Sequence, residues 1–161
     1  MTAESLPNHI ALHEAGHVVV AHTLGFTTKV ETDDRGPRTD FKVPKSLSGT
    51  DRFLIVAVSM AGASAQKKGG SDPDEGCAQD LMLAVEDSLT ITNESPEDHV
   101  GKTTIPAAAQ RVLERAAGLA KSIIAGRWDE LLALARTLEA NNYTMSADEI
   151  DVALAPDGSL E

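Results

Sequence analysis

The chain has 161 residues and a formal net charge of −11, with 42% hydrophobic but only 3% aromatic residues. That length suits one domain over residues 1–161, and the scarce aromatics require a core of Ala, Leu, Val and Ile, which favours close helix packing. The acidic balance and the lack of a basic tract speak against nucleic acid, whose phosphates need clustered Lys and Arg, while the single Cys77 excludes an internal disulfide and fits a reducing compartment.

The first predicted helix runs from Pro7 to Leu24, with Pro7 suited to a first turn and Gly25 standing where a helix ends. It contains His13-Glu14-Ala15-Gly16-His17. Two histidines four residues apart lie on one helix face and can grip one zinc ion, while the glutamate beside them can take a proton from a water activated there. The apolar positions Ile10, Ala11, Leu12, Ala15, Val18, Val19, Ala21 and Leu24 bury the other faces of this helix. Gly16 costs about 1 kcal/mol in a helix interior, so something must approach the backbone closely there. The alternative reading of the pattern is a helix with two solvated histidines.

Thr27 to Glu31 and Asp40 to Val43 are β-prone pieces around the turn-rich 33–37, predicting a hairpin or edge strand. A second helix is expected over Asp51 to Lys67, with Phe53, Leu54, Val58, Ala61 and Ala65 inward, then a loop over Gly69 to Gly76. A third helix follows from Cys77 to Leu89, and a loop from Asn93 to Thr104. Pro106 opens a helix reaching Ala125, Trp128 to Ala140 forms another, and Ser146 with Glu149 makes a capping box for a last short one. A tail from about residue 156 is expected to be disordered. The fold class is therefore mainly α, with a small β-hairpin or edge-strand element after the first helix.

A zinc site of the hydrolytic kind takes three protein ligands. His9 shares the stripe of the pair but lies a further turn toward the N-terminus, His22 falls on another face and His99 falls in a loop, so all three read as solvated histidines. Asp80 borders the stripe Cys77, Leu81, Ala84 and Val85 of the third helix, where a carboxylate is unfavourable unless it is paired or bound to metal. It reads either as a ligand or as a first-turn Asp favoured by the helix dipole. Cys77 reads as a small buried residue whose thiol lies one turn from Asp80, where it could be redox-sensitive.

His13-Glu14-Ala15-Gly16-His17, Ala61-Gly62-Ala63-Ser64-Ala65-Gln66 and Gly76-Cys77-Ala78-Gln79-Asp80-Leu81 together resemble the peptidase domain of the FtsH family. The endings Leu131-Leu132-Ala133-Leu134-Ala135 and Ser146-Ala147-Asp148-Glu149-Ile150 also look like that family, so the resemblance spans most of the chain. It implies one Zn2+ per chain, His13, His17 and Asp80 as its ligands, and Glu14 as the catalytic base. It also implies a zinc endopeptidase acting on peptides or unfolded protein, assembled as a homo-oligomer, hexameric in that family. Ala63 and Gln66 depart from the family's Arg and Glu, which suggests altered subunit or substrate contacts. The nearest phosphate loop, Val100-Gly101-Lys102-Thr103, has Pro96 where a Walker A glycine belongs, so ATP binding is rejected. The expectation is a peptidase without its own ATPase or membrane anchor. The alternatives are a zinc-binding interaction module with the same fold, or a subunit that docks on a separate ATPase.

The first ten residues show neither a basic n-region nor an apolar run, and Phe53 to Gln66, the longest uncharged apolar stretch, is shorter than the roughly 18 residues of a membrane span. These features predict a soluble cytoplasmic protein with no membrane partner.

Overall fold

The computed structural model describes residues 5–72, 75–92 and 105–155. Within them the chain is mainly helical with one antiparallel hairpin, as the sequence predicts. The order is α1 (His9–Thr23), β1 (Thr28–Asp33), β2 (Gly36–Phe41), α2 (Gly49–Lys68), α3 (Glu75–Ile91), α4 (Ala107–Gly126), α5 (Trp128–Ala140) and α6 (Ala147–Ala153). The expected loop 93–104, with His99 and the rejected phosphate loop, and the tail from about 156 lie outside the described residues.

Capping chemistry corrects several boundaries. Asn8 caps α1 by accepting from the Ala11 amide at 2.9 Å, which puts Pro7 outside the helix rather than in its first turn. At the other end Gly25 follows the cap, and the Phe26 amide reaches back to the Ala21 carbonyl at 2.9 Å, as in a Schellman ending. Ser48 and Asp51 form a reciprocal capping box, so α2 begins at Gly49, two residues before the expected start. The box of Ser146 and Glu149 that opens α6 forms as the sequence predicts.

The hairpin turn is tighter than expected. Asp33 pairs with Gly36, so β2 covers 36–41 instead of Asp40 to Val43. The Lys42 amide donates to the Thr27 carbonyl at 2.9 Å, which fixes the alternation of hydrogen-bonded pairs. Pro37, opposite Thr32, then falls where a strand residue directs its N–H away from its partner, a position that tolerates proline.

α1 lies between α2 and α5, α2 also packs on α3 and α4, and the hairpin lies against α1. The main core joins Leu12, Val18, Val19, Val20, Ile124, Leu131, Leu134 and Leu138, and a smaller cluster of Val56, Ala57, Ala84, Leu113 and Ala116 lies between α2, α3 and α4. Small and aliphatic side chains fill both, as the composition requires. Four expected inward positions differ, beginning with Ile10 of α1, which is 40% exposed. Phe53 and Leu54 are only half-buried, because the centre of α2 turns Val56, Ala57 and Val58 inward instead. Leu81 is 48% exposed, since α3 packs mainly on α2 and α4 and presents this face to solvent.

Helices α1 and α2 approach closely at Gly16. A β-carbon there would come within 2.7 Å of the Ala61 carbonyl oxygen and of the Ala65 Cβ. The mid-helix glycine thus answers to a close backbone approach, and that approach brings α2 against the two histidines.

Candidate metal centre

His13 and His17 project from α1, and Asp80 projects from α3 to meet them. Asp80 Oδ2 lies 2.9 Å from His13 Nε2 and 3.0 Å from His17 Nε2, and the two Nε2 atoms are 3.0 Å apart. The three residues form a cluster that could hold a metal ion. In a tetrahedral zinc shell with bonds of about 2.0–2.1 Å, ligand atoms lie roughly 3.3 Å apart, so this triangle needs little expansion to fit one. The donor set of two imidazoles and a carboxylate also suits zinc and other divalent metals.

The remaining ring nitrogens are tied down in the manner of metal-bound histidines. His17 Nδ1 donates to the Val58 carbonyl at 2.7 Å, and His13 Nδ1 donates to Gln66 Oε1 at 2.5 Å. Each bond places the ring proton on Nδ1 and turns Nε2 toward Asp80. Gly62 supplies the room. A β-carbon there would lie 2.6 Å from His13 Cε1 and 2.6 Å from His17 Nε2.

Electrostatics bind the cluster together. Burial works against a charged His13, but the hydrogen bond it donates to Asp80, the one it donates to Gln66 and the charges of Asp80 and Glu14 outweigh it and hold its pKa above the ordinary 6.5. Burial likewise works against the Asp80 carboxylate, yet the two imidazoles hold it well below the usual carboxylate range. A divalent cation competes for the same lone pairs and favours the same carboxylate charge.

Glu14 is buried at the edge of this cluster, and the Thr39 hydroxyl of β2 donates to its Oε2 at 2.5 Å. Glu14, the two histidines and Asp80 line one groove of about 620 Å³, whose opposite wall includes Pro37, Thr39 and Phe41 of β2. That volume lies within the range of ligand clefts.

The structure therefore brings His13, Glu14, His17 and Asp80 into one groove. His9 is exposed at its rim, and His22 turns away to meet Asp151 Oδ1 at 3.1 Å. Cys77 is buried, as expected, with Sγ 3.0 Å from Gln66 Oε1. Gln66 is 1% exposed, lines the same groove and is bonded to His13. Thr39 and the Val58 carbonyl were not marked by any local pattern, while Gly62 lay inside a segment already singled out. Among the described residues no helix is long and apolar enough to cross a membrane. No protein-family model matches the chain, and no curated protein matches it.

Proposed function

We propose that this chain is a zinc-dependent endopeptidase of the FtsH peptidase type, acting on peptides or unfolded protein segments. The observation that supports it is the meeting of His13, His17 and Asp80 at mutual distances of 2.9–3.0 Å, with Glu14 in the same groove. Those three side chains would hold the ion. When bound, zinc supplies Lewis acidity, polarising a carbonyl oxygen and lowering the pKa of water.

The chain's own residues account for the rest. Glu14 accepts the proton of the attacking water as its oxygen bonds to the peptide carbonyl carbon, then delivers that proton to the amine as the C–N bond breaks. Thr39 engages Oε2 of Glu14, leaving Oε1 for proton transfer. The register turns the backbone N–H and C=O of Thr39 and Phe41 away from β1, so β2 can receive an extended substrate as an added strand.

The test is digestion of an unfolded protein such as casein, with metal analysis and a chelator control. Glu14→Gln is expected to keep one zinc per chain and lose at least about 10²-fold in cleavage rate. Unchanged cleavage by that variant would remove the peptidase reading and leave a metal-binding module.

A further inference from the structure

We infer that Gln66 is a positioning residue for His13, fixing it as the tautomer whose Nε2 can bind metal, with Cys77 holding the Gln66 carbonyl in place. The inference rests on reading His13, His17 and Asp80 as a metal site. Gln66 Oε1 is 2.5 Å from His13 Nδ1 and 3.0 Å from Cys77 Sγ, and Cys77 Sγ is itself 3.6 Å from His13 Nδ1. A carbonyl oxygen has two lone pairs, so it accepts from the ring N–H and from the thiol together. Both residues are buried, which removes water as a competitor for that oxygen.

The direction of the amide decides the chemistry. Reversed, its NH2 would meet His13 Nδ1, which would then have to accept. The ring proton would move to Nε2, the atom facing Asp80 and His17, and no lone pair would be left there for a cation. The orientation that serves the metal leaves Gln66 Nε2 buried without a hydrogen-bond partner. Such a group is unfavourable, and a carboxylate at position 66 would accept the same two bonds with no donor stranded. The amide therefore orients His13 without the added basicity that a carboxylate partner gives a ligating imidazole. His17 differs. Its Nδ1 bonds to the Val58 backbone carbonyl, which no side-chain replacement removes.

The test uses the full chain titrated with Co2+, followed by visible absorption against a competing chelator. Circular dichroism checks folding. Gln66→Leu is expected to weaken cobalt binding by about 10–100-fold. Gln66→Glu is expected to bind at least as tightly as the unaltered chain, restoring the acceptor that Gln66→Leu removes. A folded Gln66→Leu with unaltered affinity overturns the inference and leaves the metal site standing. If Gln66→Leu does not fold, Gln66→Glu decides, and a weakening beyond about tenfold overturns the inference. An unaltered chain that binds no cobalt overturns the metal site and this inference together.

Discussion

Helices α1 and α3 both point ligand atoms at one spot, yet they are held in opposite ways. α1 buries every residue from Glu14 to Ala21, wedged between α2 and α5. Among the described side chains α3 buries Cys77, Ala84, Ser88 and Leu89, while Leu81, Met82 and Leu83 are 48%, 58% and 46% exposed. The histidine half of the site is thus part of the core, and the aspartate half depends on a peripheral helix staying docked. Local opening draws on regions with little buried apolar contact, and α3 buries less of its surface than α1 does.

The largest expected contrast is in stability. Leu12, 1% exposed on α1, should lose about 2–5 kcal/mol on replacement by Ala, as buried leucines do. Met82→Ala on α3 should stay within about 0.5 kcal/mol. Urea denaturation of the two variants measures this, and equal losses would erase the distinction between the helices.

A smaller effect is expected at Gly62→Ala, where the new methyl carbon would lie 2.6 Å from both imidazoles. Overpacking of this kind costs about 1–3 kcal/mol. Because the collision falls on the α1 half of the site, metal content should drop well below one per chain along with the melting temperature. Full metal loading in this variant would show that the histidine pair is less rigid than its burial implies.

The smallest effect concerns the ion pair that joins the helices. His13 is raised above its ordinary 6.5, so its contribution is present below that value and fades as pH rises through the raised one. Asp80 is lowered from 3.8, so its contribution is present above 3.8 and is lost as pH falls below it. Chelated protein should therefore gain most from this pair between about 3.8 and 6.5, and Asp80→Asn should flatten the profile in thermal melts. With zinc added the trend turns round, since protons compete for the imidazoles and metal stabilisation grows with pH. Melting curves for the chelated chain and the Asp80→Asn variant that coincide across this range would remove the electrostatic link between the two helices.

What could be read from the sequence divides along the same line. His13, Glu14 and His17 are set by spacing on one helix, a local property, and Gly16 announced a close neighbour without naming it. Asp80 could be placed beside a buried stripe, but its meeting with His17, 63 residues away, and with His13 is a tertiary fact. Leu81 was misplaced for the same reason, because an apolar residue in a helix does not say how many neighbours that helix will have. Gln66, Thr39 and the Val58 carbonyl act on groups 25–53 residues away, and no period or cap in the sequence marks such partners. The β2 boundary failed on turn geometry, since a two-residue loop at Asp34-Arg35 leaves Pro37 inside the strand.

The bridge between Val30 and Met145 has a further effect. Their amides and carbonyls exchange hydrogen bonds of 3.0 Å each way, after a turn in which Asn142 and Tyr143 take φ of 52° and 58°. The Thr32 hydroxyl adds bonds to the carbonyls of Asn142 and Tyr143, at 3.0 and 3.1 Å. The C-terminal stretch of the chain so covers the free side of β1. A ribbon with two bare edges can stack copy upon copy into a fibre, whereas one with a single bare edge can take one strand and then stops. The hairpin is thereby protected against runaway polymerisation, while among the described residues no strand pairs with the outer edge of β2.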